Sequence, residues 1–187
     1  MCHQVSIGME QLANQRLVHR DLAARNILLT PSLDVKIASL GLSRDVYSAE
    51  YAPWRNRLVP VRWTAPEVFG ACADISMTSS DAIGDHVDAE SGYTSSSDVF
   101  SFGVFVWELF ALGDLPLRHL SDDDVIRCRK QVAGGPAAAA VRLPFPPACP
   151  LDLWQLVERC QADFPGDRPT FAELSAGIGE MIAAIIV

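Results

Sequence analysis

The longest apolar stretch of the sequence runs from Val99 to Gly113 and contains only two polar residues, Ser101 and Glu108. A membrane-spanning helix needs about 20 apolar residues. This stretch is shorter, so we interpret it as a helix that is buried on every side in a domain core. Ser97 and Asp98 stand where N-terminal caps are common. The full sequence has 187 residues, which is the length of about one domain and is enough to surround such a helix.

The rest of the sequence predicts a mainly α fold with one small β-hairpin. Two short β-prone runs, Ile27–Leu29 and Val35–Ile37, flank the turn-forming segment Pro31 to Asp34 and predict the hairpin. The thirty or so residues that follow resemble a long ordered loop. Apolar spacing predicts further helices within Gln4–Leu17, Asp122–Gln131, Leu151–Gln161 and Phe171–Ile186.

Two segments differ in composition from this background. Residues 72–91 are rich in Ser, Asp, Ala and Gly and contain no Lys or Arg, which predicts an acidic, flexible insertion. Residues 134–140 have a Gly-Gly-Pro start followed by alanines, which predicts a short linker.

Charge and cysteine content exclude several classes of function. The formal net charge is −8, with 23 acidic and 15 basic residues, which disfavours binding to nucleic acid phosphates. Five cysteines without a close C-x-x-C pair predict free thiols in a reducing compartment and no zinc site. The first ten residues lack the pattern of a signal peptide.

The run from His19 to Asn26 reads H-R-D-L-A-A-R-N. It fits the catalytic-loop pattern H-R-D-L-x-x-x-N at every fixed position, and it resembles the protein kinase family, in the receptor tyrosine kinase branch. The resemblance implies that Asp21 is the catalytic base, that Asn26 is a metal ligand and that Arg25 helps to place the acceptor ring. His19 and Arg20 are expected to brace the loop.

The second metal ligand of the family is missing. The resemblance places an Asp-Phe-Gly triplet eighteen residues after the catalytic Asp, and the sequence there reads Ser39-Leu40-Gly41. The structural Gly41 is kept, but a neutral hydroxyl replaces the carboxylate that clamps Mg²⁺ across the nucleotide phosphates. Kinases use ATP and Mg²⁺, yet we expect neither cofactor for this chain alone, and only a weak metal contact through Asn26.

Other residues match the structural parts of the family pattern. The segment Val61–Glu67 resembles the Ala-Pro-Glu end of an activation segment, and the resemblance pairs Glu67 with Arg168. It also implies that Asp98 holds the backbone of the catalytic loop. Glu67, Arg168 and Asp98 are therefore expected to serve architecture.

The segment from Leu42 to Tyr51 resembles the activation loop of a receptor tyrosine kinase. Tyr47 and Tyr51 are candidate regulatory phosphorylation sites, because phosphorylation would add about −1.5 to −2 charge and could order the loop beside an arginine. Alternatively, they are ordinary loop aromatics. Ala52 stands where many receptors carry another tyrosine. Together with Ser39, this loop is most similar to the off-track-like inactive receptor tyrosine kinases.

The resemblance implies the C-terminal lobe of a protein-kinase-like fold with the N-terminal lobe absent, since no Gly-rich loop, strand Lys or partner Glu precedes Gln4. Three hypotheses stay open: an inactive scaffold in receptor signalling, part of an active tyrosine kinase, or a truncated product without a role of its own. The family implies protein partners, no nucleic acid, and a place on the cytoplasmic side of the plasma membrane through a single-pass parent receptor.

Overall fold

The structure is a computed structural model that describes residues 1–38, 42–70, 92–131 and 139–186. The strands are β1 (Ile27–Leu29), β2 (Val35–Ile37), β3 (Ala52–Trp54) and β4 (Arg57–Val59). Short 3-10 turns cover Ala24–Asn26, Ser48–Glu50, Pro66–Phe69 and Pro165–Asp167. The α-helices are α1 (Cys2–Asn14), α2 (Leu42–Val46), α3 (Ser95–Phe110), α4 (Asp122–Lys130), α5 (Leu151–Cys160) and α6 (Phe171–Ile186).

The predicted mainly α fold class is confirmed, and the predicted hairpin is the antiparallel pair β1–β2. A second antiparallel pair, β3–β4, lies within the segment that we expected to be a long loop. It was missed because its first strand contains Pro53, which cannot donate a ladder hydrogen bond and argues against a strand. Each strand is also only three residues long, so it offers little alternation to detect.

Helix α3 forms the centre of the core, as its apolar sequence predicts. Twelve of its residues are buried. The predicted caps are wrong by three to four positions, because Thr94 is the N-cap and accepts a hydrogen bond from the Ser97 backbone N–H at 3.3 Å. The Ser97 hydroxyl accepts one from the Thr94 N–H at 3.0 Å, which completes a capping box. Asp98 is therefore free to serve another segment.

A glycine sets the close approach of α3 and α5. A Cβ atom on Gly103 would lie 3.0 Å from the Cβ of Cys160 and 3.1 Å from the Cγ of Gln161. A side chain at this position would be in tighter than ordinary van der Waals contact, so the neighbouring atoms would have to shift by a few tenths of an ångström. Two aromatic contacts of Phe102 extend the core. Its ring centre lies 5.9 Å from that of Phe171 in an edge-to-face contact and 6.0 Å from that of Phe105 in a tilted contact.

The remaining helices pack around this centre. Helix α1 packs against α6, where the Ser175 hydroxyl donates to the Glu10 carboxylate at 2.6 Å. Helix α4 has three aspartates in its first turn and three basic residues in its last turn, an order that complements the helix dipole. Among the described residues, no helix combines the length and apolar character needed to cross a membrane.

Two predicted segments cannot be compared in full. The acidic insertion at 72–91 lies outside the described residues. Most of the predicted linker does as well, and of its residues only Ala139 and Ala140 are described, where the chain is helical.

Candidate functional site

The predicted catalytic loop lies between α1 and β1 and is fastened by a carboxylate of α3. Asp98 is 1% exposed and accepts hydrogen bonds from the backbone N–H groups of His19 at 2.6 Å and Arg20 at 2.9 Å. Arg20 has a φ of +69°, in the left-handed region that non-glycine residues rarely adopt. Burial raises the pKa of Asp98 to about 7, although the two N–H donors act to lower it.

His19 connects the loop to the chain after β2. Its Nε2 lies 3.0 Å from the Ala38 carbonyl oxygen, and its Nδ1 accepts a hydrogen bond from the Asp21 N–H at 3.3 Å. Burial lowers the pKa of His19, which favours the neutral ring that these two contacts require. The histidine therefore fixes the backbone at Asp21.

Both oxygens of the Asp21 carboxylate are engaged by side chains of this chain. The Arg25 guanidinium lies 2.5 Å from Oδ1, and the Tyr51 hydroxyl donates to Oδ2 at 2.7 Å. The hydroxyl also accepts a hydrogen bond from the Arg25 Nε at 2.9 Å, so the three groups form a closed triangle. A fourth group, Glu50, accepts from Arg25 at 2.7 Å.

The side chain of Arg25 is closely enclosed and only 4% exposed. Its guanidinium carbon lies 4.3 Å from the centre of the Trp63 ring and 4.8 Å from that of Tyr51. Burial acts to lower the pKa of Arg25, but Asp21, Tyr51 and Glu50 outweigh it, so the pKa is raised. A desolvated cation between two rings and two carboxylates is strongly fixed in place.

The two predicted regulatory tyrosines occupy different environments. Tyr51 is 6% exposed, and burial together with its hydrogen bond to Asp21 raises its pKa to about 12. The phenol therefore stays protonated and donates at neutral pH. Tyr47 follows α2 and is 42% exposed. The structure thus brings Tyr51 into the cluster with Asp21 and Arg25, but leaves Tyr47 at the surface.

Asn26 lies next to this cluster and is 2% exposed. Its side-chain amide donates to the backbone oxygen of Asp21 at 2.6 Å, which turns the loop back on itself. Ser39 and Gly41 lie outside the described residues. Within the part of the chain that is described, no group of three or more His, Cys, Asp or Glu side chains is placed to hold a metal ion.

Glu67 and Arg168 meet in a two-pronged ion pair. Arg168 donates to the two carboxylate oxygens at 2.7 and 2.8 Å, and its side chain is fully buried. It also donates to the backbone oxygens of Ser96 and Ala162 at 3.0 and 2.9 Å. The pair therefore joins the 3-10 turn at residues 66–69 to the start of α3 and to the segment after α5.

Sequence reasoning missed Glu108, which supports the site from the other end of α3. Its carboxylate accepts from the Trp63 indole at 2.8 Å and from the Ala24 backbone N–H at 3.0 Å. Burial raises the pKa of Glu108 to about 7. Its neighbour in the same helix, Ser101, donates to the Trp63 backbone oxygen at 2.8 Å. Ser101 and Glu108 are the two polar residues that interrupt the apolar run from Val99 to Gly113, and this interruption was the available signal in the sequence.

The sequence of this chain matches the protein tyrosine and serine/threonine kinase family over residues 1–178. Inactive tyrosine-protein kinase 7 of Gallus gallus is 40% identical over 96% of the chain, and the human protein of that name is 39% identical over the same share. Tyrosine-protein kinase receptor torso of Bombyx mori is 36% identical over 97% of the chain. These alignments span only 15%, 14% and 19% of the three relatives.

The chain therefore belongs to the protein kinase family, and the predicted resemblance to receptor tyrosine kinases and their inactive relatives is confirmed. In the described part of the chain, the fold agrees with the C-terminal lobe of a kinase domain, because helices surround α3 and the sheets are small and two-stranded. Because the chain spans less than a fifth of these curated relatives, their activities do not transfer to it directly.

Proposed function

We propose that this chain is a catalytically impaired, tyrosine-kinase-like domain that acts by binding other proteins in receptor signalling. The observation that carries the proposal is the closed triangle of Asp21, Arg25 and Tyr51. A catalytic base must accept the proton of an incoming hydroxyl group. Here one oxygen of the carboxylate already accepts a hydrogen bond from a tyrosine hydroxyl of its own chain, and a guanidinium covers the other oxygen.

The chemistry of the metal-binding positions supports the same proposal. The family resemblance assigns these positions to Asn26 and residue 39, which supply an amide and a serine hydroxyl. Mg²⁺ between nucleotide phosphates is held by one or two carboxylates, and neither group is one. The donor set does not fit Mg²⁺, so we route no phosphate-transfer step through a metal at this site.

The relatives agree with this proposal in part. Two of them carry the word inactive in their names, and the torso protein is named a kinase receptor. By analogy, we assign the chain to the cytoplasmic side of the plasma membrane as part of a single-pass receptor, with other signalling proteins as its partners. In that role Asp21, Arg25 and Asn26 maintain the shape of a docking domain.

A chimeric kinase tests the loss of catalysis. The chain is joined behind the N-terminal lobe of an active receptor tyrosine kinase and given Mg²⁺, ATP and a glutamate–tyrosine copolymer. We expect transfer about 10³-fold slower than in the Ser39→Asp chimera, since each 1.36 kcal/mol of lost metal stabilisation is a factor of ten. The Ser39→Asp chimera also verifies that the hybrid folds. The proposal is overturned if the unsubstituted chimera transfers phosphate at a rate within about tenfold of an active Ser39→Asp chimera.

An active tyrosine kinase is the second candidate, because the complete H-R-D-L-x-x-x-N loop is present and its Asp21 is covered by a tyrosine that could be displaced. In that case the unsubstituted chimera transfers phosphate, and Asn26→Ala abolishes the transfer. If the chimera is active and Asn26→Ala silences it, this candidate replaces the first.

A further inference from the structure

Three buried arginines, Arg62, Arg129 and Arg168, form a group that we call the arginine cluster. Arg129 lies in the last turn of α4, and its Nη2 donates to the backbone oxygen of Arg62 at 2.9 Å. The guanidinium carbons of Arg129 and Arg168 lie 4.7 and 5.1 Å from the ring centre of Phe100. None of the three arginines belongs to the triangle around Asp21.

Two members of the arginine cluster have acceptors for every guanidinium nitrogen. Arg168 donates to both oxygens of Glu67 and to three backbone oxygens. The Nε of Arg62 lies 3.0 Å from the Asp122 carboxylate. Its two Nη atoms donate to three backbone oxygens of the segment between α3 and α4, at 3.0, 2.6 and 2.8 Å. Both arginines are therefore buried with their charge and their N–H groups compensated.

Arg129 is the member that lacks this compensation. It is 3% exposed, and its Nε and Nη1 have no hydrogen-bond partner in the described part of the chain. No described carboxylate forms an ion pair with it. The ring of Phe100 attracts a cation but accepts no ordinary hydrogen bond. A buried charge without an acceptor is strongly unfavourable, so this side chain calls for a further group.

Charge indicates what the further group is. The three arginines face two carboxylates, Glu67 and Asp122, so the cluster keeps one positive charge in excess. Burial lowers the pKa of Arg129 to about 9, which still leaves its guanidinium charged at neutral pH. A single negative charge would balance the cluster, whereas a water molecule would supply an acceptor without charge.

We propose that a chloride ion binds in the interior against Arg129 and accepts a hydrogen bond from a guanidinium N–H that the chain leaves unused. A monatomic anion suits a side chain that is almost fully enclosed, because the carboxylate of a peptide or the phosphate of a nucleotide would have to bring a larger molecule inside. The ion is a structural ligand that holds α4 to the segment at Arg62. This site goes beyond the proposed function and does not depend on it.

Thermal unfolding of the full chain in two sodium salts tests for the ion. Chloride replaces isethionate at constant ionic strength, so the screening of exposed charges stays the same. We expect Tm to rise with chloride and to saturate. At ten times its dissociation constant, a ligand of the folded chain lowers the unfolding equilibrium constant about tenfold, which raises Tm by about 3–6 °C. Equal Tm at every chloride fraction would overturn the proposal in favour of water.

Two substitutions that each remove one positive charge locate the effect. Arg129→Met should abolish the dependence on chloride, and in isethionate it should be more stable than the unsubstituted chain, since it buries no unpaired cation. Arg118→Met is the matched control, because the Arg118 side chain is 71% exposed. It should keep the full rise in Tm. If Arg129→Met keeps the rise as well, the ion does not bind at Arg129.

Bromide locates the ion without any substitution. Crystals of the unsubstituted chain are grown in sodium bromide, and the anomalous scattering of bromine marks where the halide binds. We expect a peak within hydrogen-bond distance of the Arg129 guanidinium. Peaks at exposed side chains only, or density at Arg129 without an anomalous signal, would overturn the proposal. Neither readout involves phosphate transfer, so the result is independent of the activity of the chimera.

Discussion

Replacing Tyr51 with phenylalanine removes one oxygen atom from the closed triangle and leaves the ring in place. That oxygen donates to Asp21 at 2.7 Å and accepts from Arg25 at 2.9 Å. Hydrogen bonds to charged groups contribute about 1.5–3 kcal/mol each, and a buried charged partner that loses one is costly. The ion pair between Arg25 and Asp21 remains in the variant and limits the cost. We therefore expect Tyr51→Phe to lower the free energy of unfolding by about 2–3 kcal/mol.

Urea unfolding followed by tryptophan fluorescence measures the change in the free energy of unfolding. A thermal melt gives a second measurement. For a domain of this size, about 1 kcal/mol corresponds to a shift of about 2–4 °C in Tm, so Tm should fall by about 4–12 °C. Tyr47→Phe is the matched control, because it deletes the same atom from a ring that is 42% exposed, and surface changes usually stay within about 0.5 kcal/mol. Similar losses in both variants would refute the contribution of the triangle.

The remaining predictions concern buried charges and are read from unfolding free energies. Arg168→Met should cost about 3–5 kcal/mol, because it leaves the Glu67 carboxylate buried without its cation; a cost below about 1 kcal/mol would place the pair in effective contact with solvent. Arg129→Met should stabilise by about 1–3 kcal/mol, because burial lowers the pKa of Arg129 to about 9 and, among the described residues, its Nε and Nη1 have no hydrogen-bond partner, although its Nη2 donates to the Arg62 carbonyl oxygen at 2.9 Å; any loss of stability contradicts this. The folded pKa of Glu108 is raised from 4.5 to about 7, so its contribution falls as pH rises from about 4.5 to about 7, by about 3 kcal/mol in total. Glu108→Gln should remove that decline, and an unchanged pH profile would refute the assignment.

Local patterns in the sequence were sufficient to predict several helices and strands, but not the N-cap at which α3 begins. The β1–β2 hairpin and the helix at residues 171–186 were predicted at their observed bounds, because alternation and helical spacing are properties of neighbouring residues. The N-cap of α3 was misplaced because several residues before the apolar run, including Thr94 and Ser97, have side chains that can cap a helix. Only the geometry of the turn decides among them.

The contacts of the candidate site depend on tertiary structure. The family pattern placed Asp21 and Arg25 on one loop, but nothing in it indicates that Tyr51, thirty residues later, donates to Asp21. That contact exists because the segment after α2 returns to the catalytic loop and buries its tyrosine there. Sequence reasoning assigned Tyr51 a regulatory role without finding the partner that would explain it.

Two carboxylates of α3 explain how a kinase-like domain could lose catalysis and keep its shape. The backbone of the catalytic loop is held by Asp98 from one end of α3 and by Glu108 from the other. Both carboxylates act through backbone N–H groups, and neither depends on a metal or a nucleotide. On the proposed function, a serine at residue 39 removes charge from the reaction, while Asp98 and Glu108 still hold the backbone of the loop. On the proposed function, selection for docking would preserve this α3 framework while it tolerates the change at residue 39.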